Sequence, residues 1–391
     1  MIKKRKVLAV TGIRSEFDIL YPIIDALRNN DSFEVKLAIS GAHLSEWHGN
    51  MYQSLVEEGF EIADNIDSLL MTNRKTQRVK GVGLLTIALS QTVEREQPDF
   101  LLVIGDREES IATALVGNYM NIPVIHYGGG DTVYGNADDP IRFAVSKLTH
   151  IHLTGAEEYA RNLVNIGEEE FRVFSVGNPA YDNIRAVPEM SLAEISETLD
   201  FSIADGKYIV LLKHPLSSEQ DSAFEQMEVT LKAIEKFCDQ TDFKVIGIYP
   251  NTDPGSYDII NSIKQVENSN HIRFFRNLPR NIFINIMRNA RALAGNSSMG
   301  ILEAPFYKLP VVNIGNRQKG RLNAGNVEFV TYDPDIICES LIKACFDEHY
   351  RNMINNLVNP FGDGFTAEKI VNILVSIDLN DKKWYVKQKL C

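Results

Sequence analysis

The chain has 391 residues, 44% hydrophobic and 24% charged, a size that predicts two or three domains of about 150 residues, large enough to bury cores without disulfide or metal staples. The 40 basic and 52 acidic side chains give a net charge of −12, which argues against nucleic acid or an anionic membrane as the main partner. Phosphate ligands stay open, because a few arginines placed in one cleft bind phosphate on an acidic protein.

The N-terminus, MIKKRKVLAVTGIRSEF, pairs a basic start with an apolar run, as a signal peptide does. Val7–Ile13 is short for that purpose, ends against Arg14 and Glu16, and lacks a small-residue cleavage site. It reads as a buried first strand with Lys3–Lys6 as its solvated lead-in. No apolar run approaches the roughly 18 residues that cross a bilayer. Cys238, Cys338, Cys345 and Cys391 form no Cys-x-x-Cys pair, so reduced thiols in a cytoplasmic protein are expected.

Along the chain, short β-branched runs alternate with longer amphipathic ones. KVLAVTG is followed by FDILYPIIDALRN, FEVKLAISG by NMYQSLVEEG, and PDFLLVIGD by SIATALVGNYM; IPVIHYGGG, HIHLTGA and FRVFSVGNP complete the set. Near-continuous apolar strands between helices predict a parallel sheet covered on both faces. The stretch NPAYDNIRAVPEMSLAEISETLD, with Pro179 and Pro188, reads as an interdomain connection. A second series follows: KYIVLLKHP, FKVIGIYPNTDPG, IRFFRNLP, ARALAGNSS, LPVVNIG and VEFVTYD. The predicted fold class is α/β, two Rossmann-like halves facing each other across a cleft. Many strands end in Gly or Asp, and ligands of open α/β sheets bind beyond such carboxyl ends.

Several tips carry candidate chemistry. In GNSSMGILEAP, Asn296, Ser297 and Ser298 are placed to cap a following helix, whose N-terminus would suit a phosphate; Glu303 lies one to two turns in. An ordinary helix cap reads equally well. IGDREES puts Asp106 beside Arg107 at a strand tip, a general acid/base arrangement or a structural ion pair. HYGGGDTVYGNADDPIR combines three glycines with Asp131, Asp138, Asp139 and Arg142; neighbouring carboxylates push their pKa values apart, which suits proton transfer. His214 follows a strand in LLKHPLSSE, and RQKGR supplies Arg317, Lys319 and Arg321 as diphosphate ligands or as a solvated basic turn. His150 and His152 share a strand face, with no third metal ligand in register. GVG at 81–83 lacks the rest of a dinucleotide fingerprint and no Walker A motif occurs, which disfavours nicotinamide and ATP chemistry.

Together TGIRSEFD, GAHLSEWHGN, IGDRE, the GGGD…DD-x-IR loop, His214-Pro215, YPNTDPG, AGNSSMGILE, NIGNRQKGR and NPFGDG resemble the UDP-N-acetylglucosamine 2-epimerase family over nearly the whole chain. TG-x-R and NIG-x-RQ-x-GR are similar to its hydrolysing branch, which turns UDP-GlcNAc into N-acetylmannosamine and UDP on the way to sialic acids; a relative acts on a GDP-linked diacetamido sugar. The resemblance implies a glycosyltransferase-B-like fold: residues 1–182, joined by a C-terminal helix at 366–391, form the sugar-side domain, and 183–365 the nucleotide domain. It implies that Asp106, Asp131 and Asp138 act as acid/base carboxylates, with His214 also tied to catalysis. Arg14, Arg107, His214, Asn251, Ser297, Ser298, Glu303 and Arg317 are implied as substrate and UDP contacts. No metal or other cofactor is required, and a homo-oligomer, dimer or tetramer, is implied. Asp131 stands where the family usually has glutamate, and Phe143 where it often has histidine. A glycosyltransferase of the same architecture and a non-catalytic nucleotide-sugar sensor are the alternatives.

Overall fold

The computed structural model describes residues 4–46, 50–70, 76–132, 139–203, 205–250, 255–276 and 278–387. The chain divides into two compact units, Met1–Asn183 with Phe361–Cys391, and Ile184–Pro360. The first holds β1 (Arg5–Thr11), β2 (Phe33–Ser40), β3 (Glu61–Ile66), β4 (Phe100–Ile104), β5 (Val124–Tyr127), β6 (Ile151–Thr154) and β7 (Val173–Ser175). They pair in the order β3-β2-β1-β4-β5-β6-β7, every pairing parallel. The second holds β8 (Tyr208–Leu212), β9 (Lys244–Ile248), β10 (Ile272–Phe275), β11 (Leu293–Gly295), β12 (Val311–Ile314) and β13 (Val327–Val330), ordered β10-β9-β8-β11-β12-β13 and again all parallel.

Strand residues alternate between two cores. From β1, Val7 and Ala9 enter one cluster while Leu8 and Val10 enter the cluster on the opposite face. From β8, Ile209 and Leu211 face one way and Tyr208, Val210 and Leu212 the other. A strand buried on both faces must be apolar at every position, which is why these runs stand out in the sequence. In each sheet the strand order reverses once, between β1 and β4 in the first and between β8 and β11 in the second. Such switch points open a crevice at the carboxyl ends of the strands.

The stretch around Pro179 and Pro188, expected as a connection, holds the division between the units after Asn183, and it is helical at Ala180–Ala186 and Leu192–Leu199. Ser191 and Glu194 close the second of these helices with a capping box. Arg288 donates to the carbonyls of Ile184 and Val187 (2.5 and 2.7 Å), so the backbone between these helices is bound down rather than loose. The helix Thr366–Ser376 packs in the first unit: Ile370 and Leu374 join its core. The Asp182 carboxylate accepts the backbone N–H groups of Thr366 and Ala367, both at 3.1 Å. Among the described residues no helix is long and apolar enough to cross a membrane.

Candidate active site

In the first unit the site builds from the tips of β1, β4 and β5. After β4, Gly105 turns at φ +77°, and a Cβ there would lie 2.6 Å from the Glu16 Oε1. Asp106 follows, then Arg107 at the N-cap of the helix Glu108–Met120. The Asp106 carboxylate is held by Arg142, from the helix Asp139–Leu148, through Nη2. The same guanidinium donates through Nη1 to the Gly128 carbonyl at 2.8 Å, so one side chain ties the tips of β4 and β5 together. His126 also ties them: its ring donates to the Gly105 carbonyl at 2.7 Å. Burial pushes the His126 pKa down to about 3, and with a carbonyl as partner the neutral ring carries its proton on Nε2.

Register pairs Ile104 with Tyr127, so Asp106 and Asp131 leave adjacent strand ends. Asp131 is half-buried beyond the glycine triplet. Gly130 has φ +77°, and a Cβ on it would meet the Tyr159 carbonyl at 2.2 Å; Asn162 donates to its carbonyl at 2.9 Å. Only glycine permits that approach. The Tyr127 hydroxyl donates to the Gly177 carbonyl at 3.1 Å; burial, with Asp131 adding, pushes it well above the usual phenol range. Asp138 lies outside the described residues; Asp139 opens the helix that carries Arg142, 4.0 Å from its Nε. Arg14 begins the helix Arg14–Arg28 at the β1 tip and is exposed, whereas Arg107 is half-buried.

Two carboxyls that sequence reasoning missed stand between β1 and β4. Glu109 is 6% exposed, accepts the Ser40 hydroxyl at 3.1 Å, and lies so close to Gly12 that a Cβ there would sit 1.8 Å from its Oε1. Burial pushes its pKa up. Glu16 is raised well above the ordinary value by burial first, then by Glu109. The only signal for them was the glycine at each strand tip, and it does not say which side chain fills the space. Beside them the Thr11 hydroxyl meets His43 Nε2 at 3.0 Å, and burial pushes that imidazole down to about 4.

In the second unit Asn296 organises the site. Gly295 ends β11 at φ +124°, where a Cβ would lie 2.0 Å from the Leu212 carbonyl of β8. The buried Asn296 amide then bridges the backbone of His214, accepting its N–H at 2.7 Å and donating to its carbonyl at 2.8 Å. The Asn296 carbonyl accepts from Arg317 Nη1 and Gln318 Nε2, each at 3.1 Å. Thus His214, Ser297, Ser298 and Arg317 meet around the exits of β8 and β11. The expected capping differs: Asn296 pins His214 and caps nothing. The helix Met299–Leu302 is a single turn with Ser298 at its N-cap, and Ser297 Oγ accepts the Met299 N–H at 3.3 Å. One turn sums little dipole, so anion affinity here rests on free N–H groups, hydroxyls and arginine. Glu303 stands at its C-cap, and Lys319 is exposed. Arg321 turns back to Gln318 at 3.0 Å. Asn251 lies outside the described residues. His150 and His152 belong elsewhere: His152 Nε2 meets the buried Glu168 carboxylate at 2.9 Å.

Two parallel doubly wound units, each with polar side chains gathered at its switch point, define an α/β protein of the glycosyltransferase-B-like class. A solved UDP-GlcNAc 2-epimerase from Neisseria meningitidis, bound to UDP-GlcNAc, has this fold with a TM-score of 0.74 at 21% identity, over 95% of this chain and 100% of that one. The family model for UDP-N-acetylglucosamine 2-epimerase matches residues 25–375: the chain belongs to that family. It is 30% identical to the UDP-N,N'-diacetylbacillosamine 2-epimerase (hydrolyzing) of Legionella pneumophila over 97% of each chain. It is 32% identical to the GDP/UDP-N,N'-diacetylbacillosamine 2-epimerase (hydrolyzing) of Campylobacter jejuni over 83% of this chain and 84% of that one.

Proposed function

We propose that the protein is a hydrolysing 2-epimerase of a nucleotide-linked 2-acetamido sugar. UDP-GlcNAc is the first substrate to test, with N-acetylmannosamine and UDP as products. The observation that carries this reading is the Arg142 clamp on Asp106 beside Asp131 at neighbouring strand tips, in a chain whose other unit gathers Arg317, Ser297, Ser298 and His214 around Asn296. One unit then offers proton-transfer groups, and the other offers ligands for a diphosphate.

In the proposed reaction a carboxylate of the Asp106–Asp131 pair takes the C2 proton while the C1–O bond to the diphosphate breaks, leaving a 2-acetamidoglycal and UDP. Water then adds its hydroxyl at C1, and a proton reaches C2 from the opposite face. The C2 proton is weakly acidic, so stabilising the leaving diphosphate must lower much of the barrier. Arg14, Arg317, His214 and the Ser297-Ser298 turn suit that task, since donors fixed in advance need no reorganisation as charge develops. Arg107, Asn251 and Glu303 complete the proposed substrate contacts, and Asp138 the proposed acid/base set.

A second reading concerns the sugar. Both relatives described above are named for diacetylbacillosamine, which favours a 2,4-diacetamido sugar linked to UDP or GDP. Purified protein should be given UDP-GlcNAc and UDP-N,N'-diacetylbacillosamine in parallel, with products identified by NMR. Free 2-epimeric sugar with UDP from either supports the proposal and assigns the substrate. An epimer still attached to UDP, or turnover that requires a sugar acceptor, overturns it.

A further inference from the structure

Lys213 directly follows β8 and is 2% exposed. Its Nζ donates to the Tyr332 hydroxyl at 2.9 Å and stands 4.7 Å from that ring's centroid. Among the described residues no carboxylate lies within ion-pairing distance of it, although an ammonium has three protons to place. Tyr332 in turn packs under the loop that carries Arg317: a Cβ on Gly315 would lie 2.3 Å from the tyrosine oxygen. The same loop is fastened from the other side by Asn316, which donates to Glu219 Oε1 at 3.1 Å. The groups facing Lys213 are therefore Tyr332, Arg317 and Glu219, with His214 next in the chain. Burial pushes the Lys213 ammonium down to about 7; Glu219 opposes this and Arg317 adds to it.

A buried amine between an arginine and a distant carboxylate is close to electrostatic balance without a ligand. A diphosphate at Arg317 brings two or more negative charges into a region of low dielectric, and this favours the charged amine. Resting on the assignment of the diphosphate to this unit, we propose that Lys213 balances the charge of the anion site by taking a proton from solvent when a nucleoside diphosphate binds beside Arg317. The proton ends on Nζ, which then donates to the Tyr332 hydroxyl, and solvent recovers it when the diphosphate leaves. The bound form holds more protons than the free form above pH 7, so affinity for the diphosphate falls as pH rises through that range.

Titration calorimetry of the full chain with UDP at pH 7.5, in two buffers of different ionisation enthalpy, tests this. Wild type should take up part of a proton per UDP, because burial leaves the Lys213 amine partly uncharged at that pH. K213M should lose that uptake, bind UDP about tenfold more weakly at pH 6.5, and show a flatter pH dependence above 7. K213R, charged throughout, should bind without uptake. Equal uptake in wild type and K213M overturns the proposal, as does wild type binding UDP with none. If K213M does not fold, wild type against K213R decides on the same criterion. Failure of wild type to bind UDP at all is a separate result, which removes the diphosphate assignment and this proposal with it.

Discussion

Asp106, proposed for proton transfer, is a side chain held in place by its surroundings. Its carboxylate is fixed by Arg142, which also grips the carbonyl of Gly128, so the group's direction is set before any substrate arrives. Asp106→Asn and Asp131→Asn should each leave UDP binding intact and lower turnover about 100-fold or more, the usual scale for general acid–base groups. Near-normal turnover in both variants removes them from proton transfer. Glu16 and Glu109 make a different test. Both are pushed above the ordinary 4.5 in the folded protein, so between that value and their folded pKa the native state binds more protons than the unfolded chain. Stability must then fall as pH rises through that window. Glu16→Gln, neutral throughout, should melt above wild type at pH 7.5 and with it near pH 4; a variant less stable than wild type at pH 7.5 would show the carboxyl to be ionised and paired. The positions of Asp106, Asp131 and Arg317 past strand ends were legible, because Gly, Asp and Arg after an apolar run are conspicuous. The surroundings of Glu16, Glu109 and Lys213 were not, because a charged residue in a sequence carries no mark of its depth.

At the scale of elements, the exits of β8 and β11 depend on backbones approaching more closely than any side chain allows. Gly295→Ala adds a Cβ 2.0 Å from the Leu212 carbonyl at φ +124°. It should cost about 3 kcal/mol or more in urea unfolding, and any folded fraction should bind UDP poorly because Asn296 no longer reaches His214. Unchanged stability and affinity would mean that the β8–β11 spacing does not set the site. The C-terminal segment makes a second case. Arg172 is fully buried and donates to the carbonyls of His150 (3.2 Å), Lys383 and Val386 (2.8 Å). Lys387 meets the Glu168 carboxylate at 2.6 Å; burial would raise that acid, but His152 and Lys387 hold it down to about 2. Arg172→Ala leaves several buried acceptors unpaired and should lose about 3 kcal/mol or more, with faster proteolysis at 381–387; wild-type resistance there would contradict the clamp. Among elements, apolar strands such as VLAV and YIVLL announced themselves. The edge strand EIADNI did not, because one flank of an edge is solvated and half of its residues are polar. The long helix Thr76–Glu96 stayed hidden because exposed Val79, Leu84 and Ile87 blur its apolar stripe.

For the whole molecule, sequence pattern conveyed two parallel-sheet halves, and both sheets have the reversal of strand order that opens a crevice. Pattern also placed the connection between the halves where the units divide, after Asn183; it did not convey the helices Ala180–Ala186 and Leu192–Leu199, since two prolines weigh against helix locally while the contacts from Arg288 and Asn285 lie about 100 residues away and leave no local trace. The sugar's substituents are the least legible feature, because sequence pattern reports architecture and the substituents do not follow from it. The elimination and hydration scheme does not depend on them. In D₂O the proton delivered to C2 comes from an acid in exchange with solvent, so turnover should release free UDP and a free 2-epimerised sugar carrying one deuterium at C2. A free sugar with C2 still protonated and unchanged in configuration would mean simple glycosyl transfer to water. Deuterium found mainly in sugar still linked to UDP would contradict the hydrolysing reaction.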